Sequence, residues 1–456
     1  MEGILARVRS LRNYYRYVIV AVTFIMLGSL MIGPDVFTYT MVYMENNSTE
    51  DGNSSFRIYN DVEKNWLITS MAVGTLIGMY PFNWLFSRYG AQFTIIGAGL
   101  LCTASTCLVP LCLDFSFPAA IIVRIIQGIS YSADFGLVGL VVTNWSPIGE
   151  TAIILALLSS FTFLKASVQL PLAAYMLQTY GWRSIYYAIG GIIAGATALW
   201  AIVYRDDPRT SPATAIEVVH IQRGKERKEG RVSVPYRRIL SDYRIYALWA
   251  AALVDTAASI MLMTYSSKFF AKLGFDSTGT ALATSLPGYA FIVGKILTGI
   301  LSDAIKIVSE TTKIRICTFI SLQLSAFVLL AIALTIEGDK SMQVAFQVIF
   351  QFLIGANVGA FYKGGVLMSG PYAFFVIGNV QLFKSLSSLI EPLLFGWIVS
   401  DNELSQWQTF YYIHVGVLTL GTIIYIPFVT TKNRYMTDDT KQGNDESENS
   451  SEHYKL

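Results

Sequence analysis

Charge is what this 456-residue chain lacks: Asp, Glu, Lys and Arg make up 14% of it, where soluble domains carry about 25%. A surface wetted on all sides needs more, which excludes an ordinary soluble protein. Histidine is scarce, with three residues (His220, His414, His453), and four cysteines leave little for a metal site or a disulfide scaffold. Neither sign of charge dominates: 33 basic residues against 31 acidic ones leave a net +2, with no basic stripe for nucleic acid. The 35 glycines and 13 prolines follow no repeat, so collagen and solenoid architectures are excluded. What the chain has instead is apolar bulk, 53% of its residues, and the class is polytopic membrane protein.

A helix crosses the hydrocarbon core with about 20 mainly apolar residues. Twelve such runs can be read, at 15–43, 63–86, 91–113, 117–143, 150–178, 183–204, 243–270, 277–303, 311–336, 341–368, 371–400 and 406–430. Two separators are long, 44–62 and 205–242, and the second divides the spans six and six. The expected fold class is an all-α membrane protein of twelve transmembrane helices in two six-helix bundles. The bundles occupy 1–204 and 243–430, residues 205–242 link them, and 431–456 form a polar, acidic tail that reads as disordered. Two bundles of equal size imply a site at the seam between them.

Positive residues orient the spans. Arg7, Arg9, Arg12 and Arg16 precede the first run, which is too long for a signal-peptide core. They place the N-terminus in the cytoplasm, and an even number of spans places the C-terminus there too. The basic linker, with Arg223, Lys225, Arg227, Lys228 and Arg231 among others, agrees. The 44–62 loop then faces outward, where Asn46, Asn47 and Asn53 stand in Asn-x-Ser/Thr glycosylation triplets.

Ionisable groups inside a bilayer cost roughly 2.5–3.5 kcal/mol each on the insertion scale and are functional candidates by default. Asp35, Arg124, Asp134, Lys165, Asp255, Lys295, Lys363, Lys384 and Glu391 qualify. Arg124, Gln127, Tyr131 and Asp134 share one face of the fourth span, and Gln381, Lys384, Ser388 and Glu391 share one face of the eleventh. Two polar stripes in opposite halves predict a polar cavity between the bundles. Each of these residues can equally serve a structural network. Asp35, after Gly33-Pro34, either caps a kink or marks broken helix open to an ion. Asp255 shares a side of the seventh span with Ser259 and Ser266, and Lys165 sits too deep to reach the interface easily. Lys295 lies eight residues before Asp303 and reads as snorkelling towards the surface, Lys363 as either cavity or mouth, and His414 as a packing residue. Gln343, Gln347, Gln351, Gly355 and Gly359 recur every four residues in the tenth span, the glycines for close helix approach.

Short motifs point to a family. Arg124-Ile125-Ile126-Gln127-Gly128 resembles the fourth-helix pattern of the major facilitator superfamily. Gly299-Ile300-Leu301-Ser302-Asp303 resembles its glycine-to-aspartate motif, degenerate at Asn83 to Gly90, where Ser87 replaces the aspartate and Arg88 follows. Within that superfamily the chain resembles solute carrier family 17, the sialin, vesicular glutamate and sodium–phosphate transporter group. That likeness rests on Trp145-Ser146-Pro147 with Glu150, the stretch from Tyr180 to Tyr187, Asp206-Asp207-Pro208, Val234-Pro235-Tyr236 and Leu273-Gly274-Phe275. The resemblance implies transport of small organic anions or phosphate, with Gly299, Asp303 and Arg88 as a conformational motif. The chain departs from the group where substrate chemistry sits. Family arginines of the first and seventh helices correspond to the region of Asp35 and to Val254-Asp255, and the fourth-helix glutamate to Tyr131.

The expected function is ion-coupled secondary transport of a small organic anion or phosphate by alternating access, driven by H+ or Na+. Arg124, Tyr131, Asp134, Lys165, Asp255, Lys384, Glu391 and Asp35 are the candidate substrate and ion residues. The alternatives are a facilitator of a neutral or cationic solute and a ligand sensor or scaffold that transports nothing. No nucleophile–base pair, phosphate loop or metal-spaced cluster occurs outside the spans, so no enzyme, cofactor or metal is expected. The chain is expected as a monomer in a plasma, endolysosomal or vesicle membrane.

Overall fold

A computed structural model of the chain describes residues 14–47, 59–161, 169, 172–173, 175–177, 179–223, 225 and 234–431. The helices are α1 (Tyr15–Asn47), α2 (Asp61–Phe115), α3 (Phe117–Tyr131), α4 (Asp134–Trp145), α5 (Thr151–Ser159) and α6 (Trp182–Val203). The linker holds α7 (Ala215–Gln222) and α8 (Tyr236–Leu240). There follow α9 (Tyr243–Lys272), α10 (Ser277–Ala304), α11 (Glu310–Thr318), α12 (Ser325–Leu334), α13 (Lys340–Ile354), α14 (Phe361–Ser369), α15 (Ala373–Gly378), α16 (Val380–Ile398) and α17 (Leu404–Tyr425). No strand occurs among the described residues. Lys165, Asn53 and nearly all of the tail from 431 onward lie outside the described residues, as do the side chains of Asn46 and Asn47.

Nine stretches among the described residues are long and apolar enough to cross a membrane. Two of them, Trp66–Phe115 and Lys340–Ile398, run to 50 and 59 residues. At 1.5 Å per residue each is about twice as long as a bilayer requires, so each is two spans joined end to end. The first folds back at Gly90, whose φ of +76° suits a residue without a side chain. The second turns at Gly370-Pro371, with Gly370 at φ +51°. The apolar helix Ile148–Ser159 is the described part of the fifth span.

The outer faces expose Leu100, Leu111, Ile122, Leu393 and Ile423, a surface that lipid solvates better than water. Inside, glycines let helices of each half touch backbone to backbone. A methyl group on Gly128 of α3 would fall on the Met71 carbonyl oxygen of α2, and one on Gly74 would fall on the Ile125 carbonyl. The second half repeats the arrangement between α10 and α13. A methyl on Gly294 would strike the Phe352 carbonyl, and one on Gly355 would lie 2.7 Å from the Phe291 carbonyl oxygen. Gly128→Val must push α2 and α3 apart. It is expected to destabilise the protein by at least about 1–3 kcal/mol, read as a lower unfolding temperature in detergent.

The two halves meet at one end of the molecule. There Gly139 of α4 packs against the Ala373 backbone of α15, and Thr143 Oγ1 donates to the Gly370 carbonyl at 3.4 Å. On the other flank Gly299 of α10 lies against Ile153 and Ala156 of α5. The Asp303 carboxylate accepts the Ile153 N–H at 2.9 Å, capping the start of α5 across the seam.

Candidate functional site

Burial dictates where the charged residues turn, because lipid offers an ionised group no hydrogen bond. Arg124 is 2% exposed, and its guanidinium is spent on backbone. Its Nε donates to the Leu67 carbonyl at 3.1 Å, and one terminal nitrogen donates to the Pro34 carbonyl at 2.6 Å and to Gln127 Oε1 at 2.8 Å. Gln127 in turn donates to the Gly33 carbonyl at 3.4 Å and to Thr106 Oγ1 at 3.2 Å. The Phe37 ring covers the guanidinium at 4.3 Å. The Gly33-Pro34 kink of α1 therefore does present backbone oxygens to a cation, and that cation is the chain's own arginine. Asp35 is half-buried on the same helix.

Asp134 opens α4 immediately after the two-residue break that follows Tyr131, and it is fully buried. One carboxylate oxygen accepts the Phe135 N–H; the other has no hydrogen-bond partner. Lys384 comes from the opposite half, on α16. Its ammonium lies over the Phe135 ring, 4.6 Å from the centroid, and couples electrostatically to Asp134. Tyr362 of α14 stacks on the other partner of this contact, its ring 5.8 Å from that of Phe135. Tyr131 and Gln381 are buried at the same seam, Gln381 with an unpartnered Oε1.

Beside this pair lies a second one. The Asp255 carboxylate of α9 accepts Asn357 Nδ2 at 3.0 Å and Ser321 Oγ at 3.2 Å. Both donors sit where the helices are irregular: Ser321 in the π-helical segment Phe319–Leu324, Asn357 in the 3-10 segment Gly355–Val358. Lys295 of α10 acts on Asp255 electrostatically, and its Nζ donates to Ser159 Oγ of α5 at 3.1 Å. It is 5% exposed and does not snorkel, contrary to the reading from its distance to Asp303. Lys295 shares a helix face with Gly299 and Ser302, at i+4 and i+7, and that face meets the other half. This spacing was the signal in the sequence. Ser159, Ser321, Asn357 and Tyr362 carry no charge and left no comparable trace.

The remaining candidates go elsewhere. Lys363 belongs to the closed end, bridging Asp303 at 2.8 Å and Glu310 at 2.9 Å. Gly299 and Asp303 face α5 as described. Arg88 is exposed against Trp84 and Tyr89, with no contact across the seam among the described residues. Glu391 turns inside its own half, towards His414, at 3.3 Å. Gln343 bonds Thr335, and Gln347 Oε1 accepts Ser266 Oγ at 2.7 Å.

Two segments that carried the family resemblance meet at the closed end. Trp145 Nε1 donates to the Arg205 carbonyl at 3.0 Å, and Asn144 donates to the Asp206 carbonyl at 3.1 Å. The Asp206 carboxylate caps the helix restart after Gly90, accepting Ala91 N–H at 2.7 Å and Gln92 N–H at 3.2 Å. Burial pushes that carboxyl up, and the two N–H groups pull it back. The linker's Lys225 donates to the Thr143 carbonyl at 2.6 Å, and burial lowers its amine to about 7.

Comparison with known proteins agrees with this architecture. The model for the Major Facilitator Superfamily matches residues 18–369. Sialin of Homo sapiens is 23% identical over 369 residues, covering 80% of this chain and 74% of its own. The probable small intestine urate exporter of Mus musculus is 22% identical over 370 residues, covering 79% and 75%. Both are members of the solute carrier family 17 group that the motifs resemble. The structure of the proton:xylose symporter XylE bound to 6-bromo-6-deoxy-D-glucose aligns with a TM-score of 0.67 at 15% identity, over 92% of this chain and 97% of its own. At that identity the likeness concerns the fold alone.

Proposed function

Because the chain belongs to the Major Facilitator Superfamily, we propose that this integral multi-pass membrane protein is a secondary transporter that moves a small organic anion, or phosphate, together with a proton. The observation that carries the proposal is the charge layer between the halves: Asp134 against Lys384 across the seam, and Asp255 against Lys295 beside it. Two acids and two bases cancel. An anion that settles between Lys384 and Lys295 leaves the layer negative in a medium of low dielectric, which is costly unless a cation accompanies it. Asp134 is the group suited to receive that cation as a proton. It has one hydrogen-bond donor and an unpartnered oxygen, whereas two donors already hold Asp255. A monoanion and one proton then enter with no net charge.

The name of the urate exporter among the relatives supports an organic anion as cargo. Transport proceeds by rocking of the bundles, which breaks the closed-end contacts of Asp303 with α5 and of α4 with α15. With the basic linker in the cytoplasm, the closed end is the inner one. Asn46, Asn47 and Asn53 are then offered for glycosylation outside. The membrane is the plasma membrane or that of an endolysosome or vesicle.

Uptake of urate, glutamate and phosphate into proteoliposomes, with and without an inward proton gradient, tests the proposal. At least one anion should enter faster with the gradient and without generating a potential, and sodium should not substitute. The two aspartates favour a second reading, a neutral or cationic solute. Inhibition of uptake by amines rather than carboxylates would establish that reading instead, and ligand-induced thermal stabilisation without any flux would leave a sensor.

A further inference from the structure

Glu391 and His414 lie outside the charge layer, two helical turns beyond Lys384 and so about 10 Å further along α16. They are 3% and 2% exposed. His414 Nε2 is 3.3 Å from Glu391 Oε1, while Nδ1 is 2.9 Å from the Phe410 carbonyl oxygen. A carbonyl only accepts, so Nδ1 carries a hydrogen. Nε2 then faces the carboxyl with a lone pair unless a proton lies between the two atoms. With that proton the contact is a hydrogen bond; without it, two lone pairs and a negative charge meet in a dry interior. Glu391 Oε2 has no hydrogen-bond partner among the described residues, an arrangement that a neutral carboxyl tolerates better than a carboxylate.

We infer that Glu391 and His414 form a proton-binding site within the second half, separate from the central layer, whose occupancy fastens α16 to α17. The proton comes from water, forms an O–H or N–H bond shared by the pair, and takes the pair from one negative charge to none. The groups that face it are few. From α9 Tyr265 stacks on Phe395, one turn from Glu391, at 3.9 Å, and Lys268 lies 5.3 Å from the same ring. On α16 itself the nearest charge is Lys384. From the π-helical segment packed against α17, Gln323 reaches Thr419 at 3.5 Å and brings no charge. Losing the proton sets a carboxylate against the imidazole and loosens the outer part of α16, where Leu393 and Trp397 are 75% and 80% exposed.

The test uses the full-length protein in lipid nanodiscs and reads infrared difference spectra between about pH 5 and pH 9, the range in which histidine chemistry falls. The wild type should show a protonated-carboxyl band that disappears on raising the pH. The band should be missing from E391Q and displaced in frequency in H414Q. Thiol labelling of L393C, with each rate divided by the thiolate fraction at that pH, gives a second readout: the corrected rate should rise severalfold at high pH in the wild-type background and stay at the slow value with E391Q added, since glutamine imitates the neutral acid. A merely structural hydrogen bond moves neither signal with pH. An unchanged band in E391Q, or labelling equally pH-dependent with and without Glu391, overturns the inference, whatever the protein transports.

Discussion

Asp134→Asn is expected to abolish proton-driven accumulation while leaving exchange of the anion in place. Asparagine keeps the size and the contact with the Phe135 N–H, but it takes up no proton at neutral pH. The thermodynamic link between proton and solute is then lost, a coupling of about 1–3 kcal/mol or roughly 5–150-fold. Uptake should no longer respond to an imposed pH gradient, whereas counterflow between equal concentrations should persist. The variant should also lose stability. Lys384 is half-buried and has Asp134 as its facing acid. No direct ion pair joins the two and Lys384 is half-exposed, so stranding its charge is expected to cost less than the about 3–5 kcal/mol of a fully buried pair. Lys384→Gln should cost a similar amount, and the double variant should recover much of it, since removing both partners leaves no stranded charge. A thermal-unfolding cycle in which the two effects simply add would show that these side chains do not interact. Gradient-driven uptake that survives in Asp134→Asn would assign the proton to another group.

The second large effect is expected at the closed end. Asp303→Asn removes the charge from a residue that caps α5 of the other half and also pairs with Lys363. Lys363 is 1% exposed on its side chain, so its pairing is buried. Asparagine can still accept the Ile153 N–H, so the cap weakens little; the main loss is the buried charge pair with Lys363, worth up to about 3–5 kcal/mol and reduced because Glu310 still holds the lysine. A shift of 5.5 kcal/mol inverts a two-state equilibrium from 1:99 to 99:1. Asp303→Asn should supply enough of this to populate a form in which this end has parted. Spin labels at Ser87 and Ile307, one on each half at this end, report the distance; a broad, longer component should appear. Arg88→Ala is the control. The first half carries Ser87 where the second carries its aspartate, and exposed Arg88 spans no gap, so the distances should stay put. Unaltered distances in Asp303→Asn would mean that the glycine contacts of α4 with α15 and of α10 with α5 close this end without the carboxylate.

How far the site was legible can be argued residue by residue. The stripes on the fourth and eleventh spans were visible because charge on an apolar helix must share a face, and the structure brings Lys384 over Phe135, near enough to act electrostatically on Asp134. The same stripes misled at their ends. Arg124 lies on the stripe, yet it faces α1 and α2 of its own half, where the Pro34 and Leu67 carbonyls wait. Glu391 lies on the other, yet its partner is His414. Helical phase specifies a direction to within a sector; which neighbour fills that sector depends on how the helix is rotated and tilted in the bundle. Lys295 was misread for a different reason. Its distance to the helix end is one-dimensional, whereas the deciding fact is that Gly299 lets α5 approach close enough to offer Ser159.

What the amino-acid order determined alone is everything that acts over a few helical turns. The length of each apolar run sets the spans, the basic linker divides them six and six, and Asn, Ser, Asp and Gly at the ends start and stop the helices. These follow from local burial and backbone chemistry, so no neighbour is needed to read them. The tertiary structure decided which charge meets which. Asp134 and Lys384 are 250 positions apart, and their encounter depends on two bundles sealed at one end by glycine contacts and a single carboxylate cap. Electrostatic energy falls with distance through space and is indifferent to separation along the chain. The same ionisable residues could therefore have formed several different networks, and only packing selected the pairs seen among the described ones.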